Sequence, residues 1–258
     1  MSTTIPSLLH DTAAKPETGL KMEANGPVWE VTLCAPPDNY ISASVLQALN
    51  EAVDRFEREA DLRLMLLQGS KSVFSKGFDL SSLESGASPQ ELRESLILSN
   101  SLFTRIARCR KPTVAAIQGA CLGGGLELSL ACHFRVCSDR ARLGLPEIWI
   151  KLVPGLGGVY RLHQLVGRSK TLEMVTLGDL ITSEEAYRLN VVNRVFPKAD
   201  FPASVQSFVH ALLMAEGHVL TEAIELVNAC NASIEQDNLR LGMEAFARLA
   251  KSWSRPQG

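Results

Sequence analysis

Three consecutive glycines break the most apolar part of this chain, and a glutamate follows two positions later. The segment "GACLGGGLELSLACHF" places Gly123, Gly124 and Gly125 directly ahead of Leu126 and Glu127. The stretch before it, "PTVAAIQGA", reads as a buried strand, and the glycines open a helix. Only glycine lets a backbone change direction so tightly and leave its N–H groups bare. Glu127 and a second carboxyl, Glu147 in "LGLPEIWIKLVPGLGG", lie among Leu126, Leu128, Leu130, Leu145 and Ile148. Charge is costly in such surroundings. Two carboxyls brought together there cannot both ionise easily, so one is expected to stay protonated and serve as acid while the other serves as base. Bare amides beside such a pair suit proton transfer next to a carbonyl.

Three readings of the glycine loop compete: a phosphate cradle, a purely structural turn and an oxyanion hole. The loop has no Gly-Lys-Ser/Thr ending, and it does not fit GxGxxG with a distant acidic residue. A strand running into a helix start leaves the first helical N–H groups free, at the end where the dipole favours negative charge, and this favours the oxyanion hole. A second donor is expected from "FSKGFDL", where Gly77 lets the chain turn and point the Phe78 N–H inward. Asp79 beside it reads as a turn or cap residue.

Bulk properties narrow the field. At 258 residues, 46% hydrophobic and 21% charged, the chain has the composition of a globular protein with one substantial domain. A net charge of −2 leaves no footprint for nucleic acid. No apolar run approaches the length of a membrane span. Cys34, Cys109, Cys121, Cys132, Cys137 and Cys230 form no CxxC pair, and the five histidines are scattered, so no metal site is expected. The cysteines read as small buried hydrophobes in a reducing, cytoplasmic setting. The first twenty residues lack a basic start and a long apolar centre, and are expected to form a flexible leader.

Along the chain, Pro27 to Ala35 alternates as a strand, Pro36 to Asn39 turns, and Ser42 caps a helix reaching Arg58. Further strands are expected in "LRLMLLQGS" and in "VFSKGFDLSSL", with a helix from Pro89 to Ala107. Short strands follow over Phe134 to Ser138 and Arg142 to Leu145. Helices are expected to start near Gly155, near Ser169 and at Ser183, with "VVNRVF" as a last strand. Phe201 to Trp253 is helical throughout. Strand–strand–helix units with a helical tail describe an α/β domain.

With "FSKGFDLSSL", "KPTVAAIQGACLGGGLELSLACHFRVCSD" and "LGLPEIWIKLVPGLGGVYRLHQLVG" in order and well spaced, the chain resembles the crotonase superfamily of enoyl-CoA hydratases, isomerases and relatives. The resemblance runs from about Met22 to Phe196. It implies a spiral ββα core over 21–196 and a C-terminal helical region over 197–258 that builds a homotrimer or a hexamer. It implies an acyl-CoA thioester as substrate, with no cofactor beyond the coenzyme A of the substrate itself. By resemblance, Phe78 and Gly124 hold the thioester oxygen. Ser75, Lys76 and Leu80 lie along CoA, and Gly155 frames the water and the hole. Both hydratase glutamates are present, so Glu127 is expected to act as base on water and Glu147 to protonate the α-carbon. The alternatives are a double-bond isomerase, a dehydratase of carrier-linked thioesters and a catalytically silent scaffold of the same fold. Lys151 stands where many relatives carry glycine, and with Trp149 and Ile150 it is expected to reshape the acyl pocket. The ending "ARLAKSWSRPQG" lacks the segment that lies over CoA in many hydratases.

Overall fold

A computed structural model of the chain describes residues 18–70, 73–81, 86, 88–229 and 232–250. The expected flexible leader falls mostly outside these residues. Leu20, the last residue of that expected leader, is buried and begins the first strand. Strand β1 (Leu20–Asn25) pairs antiparallel with β2 (Val28–Leu33), with Leu20 opposite Leu33. Helix α1 (Ala43–Arg58) follows, and the Ser42 hydroxyl accepts from the Val45 N–H as its cap. Three strand pairs come next: β3 (Leu64–Gly69) with β4 (Val73–Ser75), β5 (Thr113–Ile117) with β6 (Ala120–Leu122), and β7 (Phe134–Ser138) with β8 (Arg142–Gly144). Helix α2 (Pro89–Ala107) follows the first pair and α3 (Gly124–Ala131) the second. A 3-10 turn (Pro146–Ile150) and α4 (Gly158–Leu177) follow the third.

Each of these pairs gives one strand to each of two sheets. The first sheet runs β1-β2-β3-β5-β7-β10, closed by β10 (Arg194–Phe196), and is parallel from β2 onward. The second runs β4-β6-β8-β9, with β9 (Ile181–Thr182) antiparallel on its edge. This alternation is the spiral the resemblance implied. It also explains why the central strands read as unbroken apolar runs. On β3, Met65 and Leu67 face the main core while Leu64 and Leu66 face a second cluster, so neither side meets water.

That second cluster is closed by Phe201, Val205 and Val209 of helix α6 (Phe201–Leu213). Burial of each such side chain contributes roughly 1.5–3 kcal/mol. Helix α5 (Ser183–Arg188) precedes β10, and α7 (Gly217–Ala229) and α8 (Ala232–Ala250) complete the chain. The helical tail is therefore no separate layer. Met243, Phe246 and Ala247 of α8 pack against the main core, next to α2 and α4. No helix among the described residues is long and apolar enough to cross a membrane.

Local differences from expectation have local causes. The two helix starts expected near Gly155 and Ser169 are one helix, α4, interrupted at Gly167 (φ 73°, ψ 175°). The cap of α5 is the Thr182 hydroxyl, which accepts from the Glu185 N–H, and Ser183 instead donates to the Asp139 carbonyl.

Candidate active site

The glycine triplet does what its composition suggested. Gly123 (φ 51°, ψ −129°) takes a backbone conformation that a side chain would resist, and α3 begins at Gly124. A methyl group on Gly124 would stand 2.3 Å from the Phe78 ring and 3.4 Å from the Phe78 nitrogen. The two turns therefore meet. On its other side, the "SKGFD" turn is pinned to Ile41, whose N–H donates to the Gly77 carbonyl while its carbonyl accepts from the Asp79 N–H. Those two bonds use the neighbours of Phe78 and turn its own N–H the opposite way, toward α3. Gly124, first in its helix, likewise has an N–H without a helical acceptor. Phe78 and Gly124 both line a cavity of about 520 Å³.

Glu127 and Glu147 line the same cavity. Glu127 projects from the first turn of α3 and is 2% exposed. Its Oε1 accepts from the Leu156 N–H at 2.8 Å and the Gly158 N–H at 2.9 Å. Burial raises its pKa to about 6, against the opposing pull of these two bonds and of the Arg161 guanidinium. Glu147 sits in the 3-10 turn, with Oε1 packed so close to Gly123 that an added methyl would be 3.0 Å away. Its Oε2 is buried without a hydrogen-bond partner among the described residues. Burial, then the charge of Glu127, raises its pKa to about 8. Both carboxyls are thus held above the ordinary range, Glu127 the less of the two because its amide donors favour the charged form. Such a pair can take a proton at one point and deliver one at another, under two amides suited to an oxyanion.

The remaining expected site residues fall in different places. Lys76 and Leu80 line the cavity, and Lys76 is paired with Asp38 at 2.8 Å, which raises its pKa. Ser75 does not line it. Fully buried, its hydroxyl accepts from the Gly77 N–H at 3.1 Å and so shapes the turn that carries Phe78. Gly155 lines the cavity but does not begin the helix, which starts three residues later. The amides that reach Glu127 belong to Leu156 and Gly158. Trp149 and Ile150 line the cavity, whereas Lys151 does not. Lys151 ends the 3-10 turn in the left-handed region (φ 61°, ψ 31°), a conformation that glycine adopts more readily. Among the described residues no group of three or more His, Cys, Asp or Glu could hold a metal ion.

The enoyl-CoA hydratase/isomerase family model matches residues 23–257. The chain belongs to that family. It is similar to a probable enoyl-CoA hydratase of Bacillus subtilis, with 30% identity over 88% of this chain and 89% of that protein. It is 35% identical over 77% of its length to the Arabidopsis thaliana peroxisomal fatty acid beta-oxidation multifunctional protein AIM1, of which the match spans only 28%. Among solved structures, an enoyl-CoA hydratase/isomerase from Xanthobacter autotrophicus Py2 superposes with a TM-score of 0.85 at 26% identity, covering 92% of this chain and 88% of that one. The spiral core is thus the fold of enoyl-CoA hydratases.

Proposed function

We propose that this chain hydrates a 2-enoyl thioester, carried on coenzyme A, to the 3-hydroxyacyl thioester. The observation that carries the reading is the meeting of two buried carboxyls in one cavity beside the Phe78 and Gly124 turns, Glu127 held by the Leu156 and Gly158 amides and Glu147 Oε2 buried without a hydrogen-bond partner among the described residues. Water held between them gives a proton to the Glu127 carboxylate as its oxygen bonds to the β-carbon. The C=C electron pair moves toward the thioester, and the oxygen takes up charge against the Phe78 and Gly124 amides. Each donor of this kind contributes about 3–4 kcal/mol in the transition state. The Glu147 carboxyl then gives its proton to the α-carbon, the enolate collapses to the thioester, and no redox or cofactor step is needed. Lys76 and Leu80 lie along the CoA arm at the mouth, while Gly155 frames the water side.

We also propose a homotrimer or hexamer in a reducing, cytoplasmic setting. Supporting the assembly are exposed apolar side chains at Trp149, Leu177 and Leu180, 69%, 50% and 45% accessible in the single chain. Light scattering on the purified protein tests it, and a monodisperse monomer rejects it. For the chemistry, crotonyl-CoA hydration is followed by loss of the absorbance of the conjugated thioester. Absorbance gained from a 3-enoyl-CoA, with none lost from crotonyl-CoA, makes the protein an isomerase. Turnover of carrier-linked thioesters alone replaces CoA by a carrier protein.

A further inference from the structure

The turn that holds Glu127 is itself held from both sides. Its three peptide units, 155–156, 156–157 and 157–158, are each planar, so fixing a carbonyl fixes the N–H across the same bond. The Gly155 carbonyl accepts from Asn100 Nδ2 at 2.9 Å, and the N–H of that peptide is the Leu156 donor to Glu127. The Gly157 carbonyl accepts from the Arg161 backbone N–H at 2.9 Å, and the N–H of that peptide is the Gly158 donor. Between them, the Leu156 carbonyl accepts from Arg161 Nη1 at 2.8 Å. Asn100 is 4% exposed and Arg161 7%, so these bonds do not compete with bulk water. Asn100 comes from α2 and bonds its own Leu96 carbonyl as well, so a rigid helix braces the turn.

Gly157 is shaped for the same purpose. It has φ 84°, and a methyl there would stand 2.5 Å from Arg161 Nη1. Only a bare backbone lets the guanidinium fold back over the turn.

We propose that Asn100 and Arg161 are positioning residues: Asn100 grips the Gly155 carbonyl and so orients the Leu156 amide that aims the Glu127 carboxylate, while the Arg161 guanidinium grips the Leu156 carbonyl and fixes the middle peptide between the two donor amides. That guanidinium also sets a positive charge near the carboxylate. The inference rests on the reading of Glu127 as the base of thioester chemistry. Among the described residues, the charged groups acting on Glu127 are Arg161 of α4 and Glu147 of the 3-10 turn.

Asn100→Leu keeps the side-chain shape and removes the donor, while Arg161→Met removes both donor and charge. Each is expected to lower kcat for crotonyl-CoA roughly tenfold with KM within about twofold, since misplacing a reacting group affects chemistry more than binding. In protein labelled with 13C at the glutamate carboxyls, and with Glu127→Gln to assign the signal, the Glu127 titration moves to higher pH in both variants. Arg161→Lys, which keeps a cation, lies between wild type and Arg161→Met and serves if the methionine variant does not fold. Folded variants with wild-type kcat and an unmoved Glu127 titration overturn the inference, as does a loss of activity that only follows loss of folded protein. Should the wild type not hydrate crotonyl-CoA, the functional reading fails, and the carboxyl titration still decides this one.

Discussion

Glu127 and Glu147 are buried to nearly the same degree, 2% and 9% exposed, yet their surroundings differ. Around Glu127 the chain supplies two amide donors and a guanidinium, so burial is partly offset and the charged form persists near neutrality. Around Glu147 the described residues supply no guanidinium and only that residue's own backbone N–H. One oxygen faces Gly123, the other has no partner among the described residues, and the neighbouring carboxylate adds repulsion. Burial alone would make two similar acids. The two amide donors at Glu127 separate them, as the proposed pairing of an acid with a base requires.

The contrast is broken most severely by removing either carboxyl's proton chemistry. Glu127→Gln and Glu147→Gln are each expected to lower kcat for crotonyl-CoA by about 10²–10⁴-fold with CoA-ester binding little changed. Near-normal steady-state rates in either variant would refute the assigned pair. A smaller loss, about 10²–10³-fold, is expected from Gly124→Ala, because its methyl would collide with the Phe78 ring 2.3 Å away and displace a donor. Crystallography of the variant would show that ring moved, and a rate within twofold of wild type would remove Gly124 from the hole.

Activity against pH sharpens the comparison. The kcat/KM profile should rise through about pH 6 as Glu127 ionises and fall through about pH 8 as Glu147 loses its proton. Stability has its own sign. Both folded-state values lie above the ordinary 4.5, so the folded chain binds more protons than the unfolded one between them. The contribution is fully present below pH 4.5 and is lost as pH rises through about 8. Thermal melts of wild type should therefore decline across that window more steeply than those of Glu147→Gln, and parallel curves would contradict the assignment. The smallest effect is expected at the end of the 3-10 turn that carries Glu147. Lys151→Gly relieves a left-handed backbone but loosens the unfolded chain, for a net gain of no more than about 1 kcal/mol in a denaturant titration.

How legible the molecule is depends on where its signals lie. Helix α2 was readable to its ends because Ser88, Pro89 and Glu91 form a capping box with proline at the first position. Strand β1 was not, because five of its six residues face solvent and only pairing with β2 makes it a strand. Phe78, Gly124, Glu127 and Glu147 could be named from glycine-framed turns and from the family resemblance. Leu156, Gly158, Asn100 and Arg161 could not. Backbone amides carry no residue signature, and a buried asparagine or arginine reads as an ordinary helix-surface residue until its acceptor is known. Ser75 lay in the right turn, but its role inside that turn rather than in the cavity depends on which way its hydroxyl points.

Local chemistry alone determined most of the strands and helices, β1 excepted, where glycine had to stand, and that two carboxyls would sit in apolar surroundings. Those properties depend on neighbours a few residues away. The tertiary fold decided which carboxyl receives the two amide donors, the feature on which its proposed role as base rests. Leu156 and Gly158 lie 29 and 31 residues beyond Glu127, and Asn100 lies 55 before Gly155. A pKa responds to what surrounds the group in space, and the spiral of strand pairs sets those surroundings.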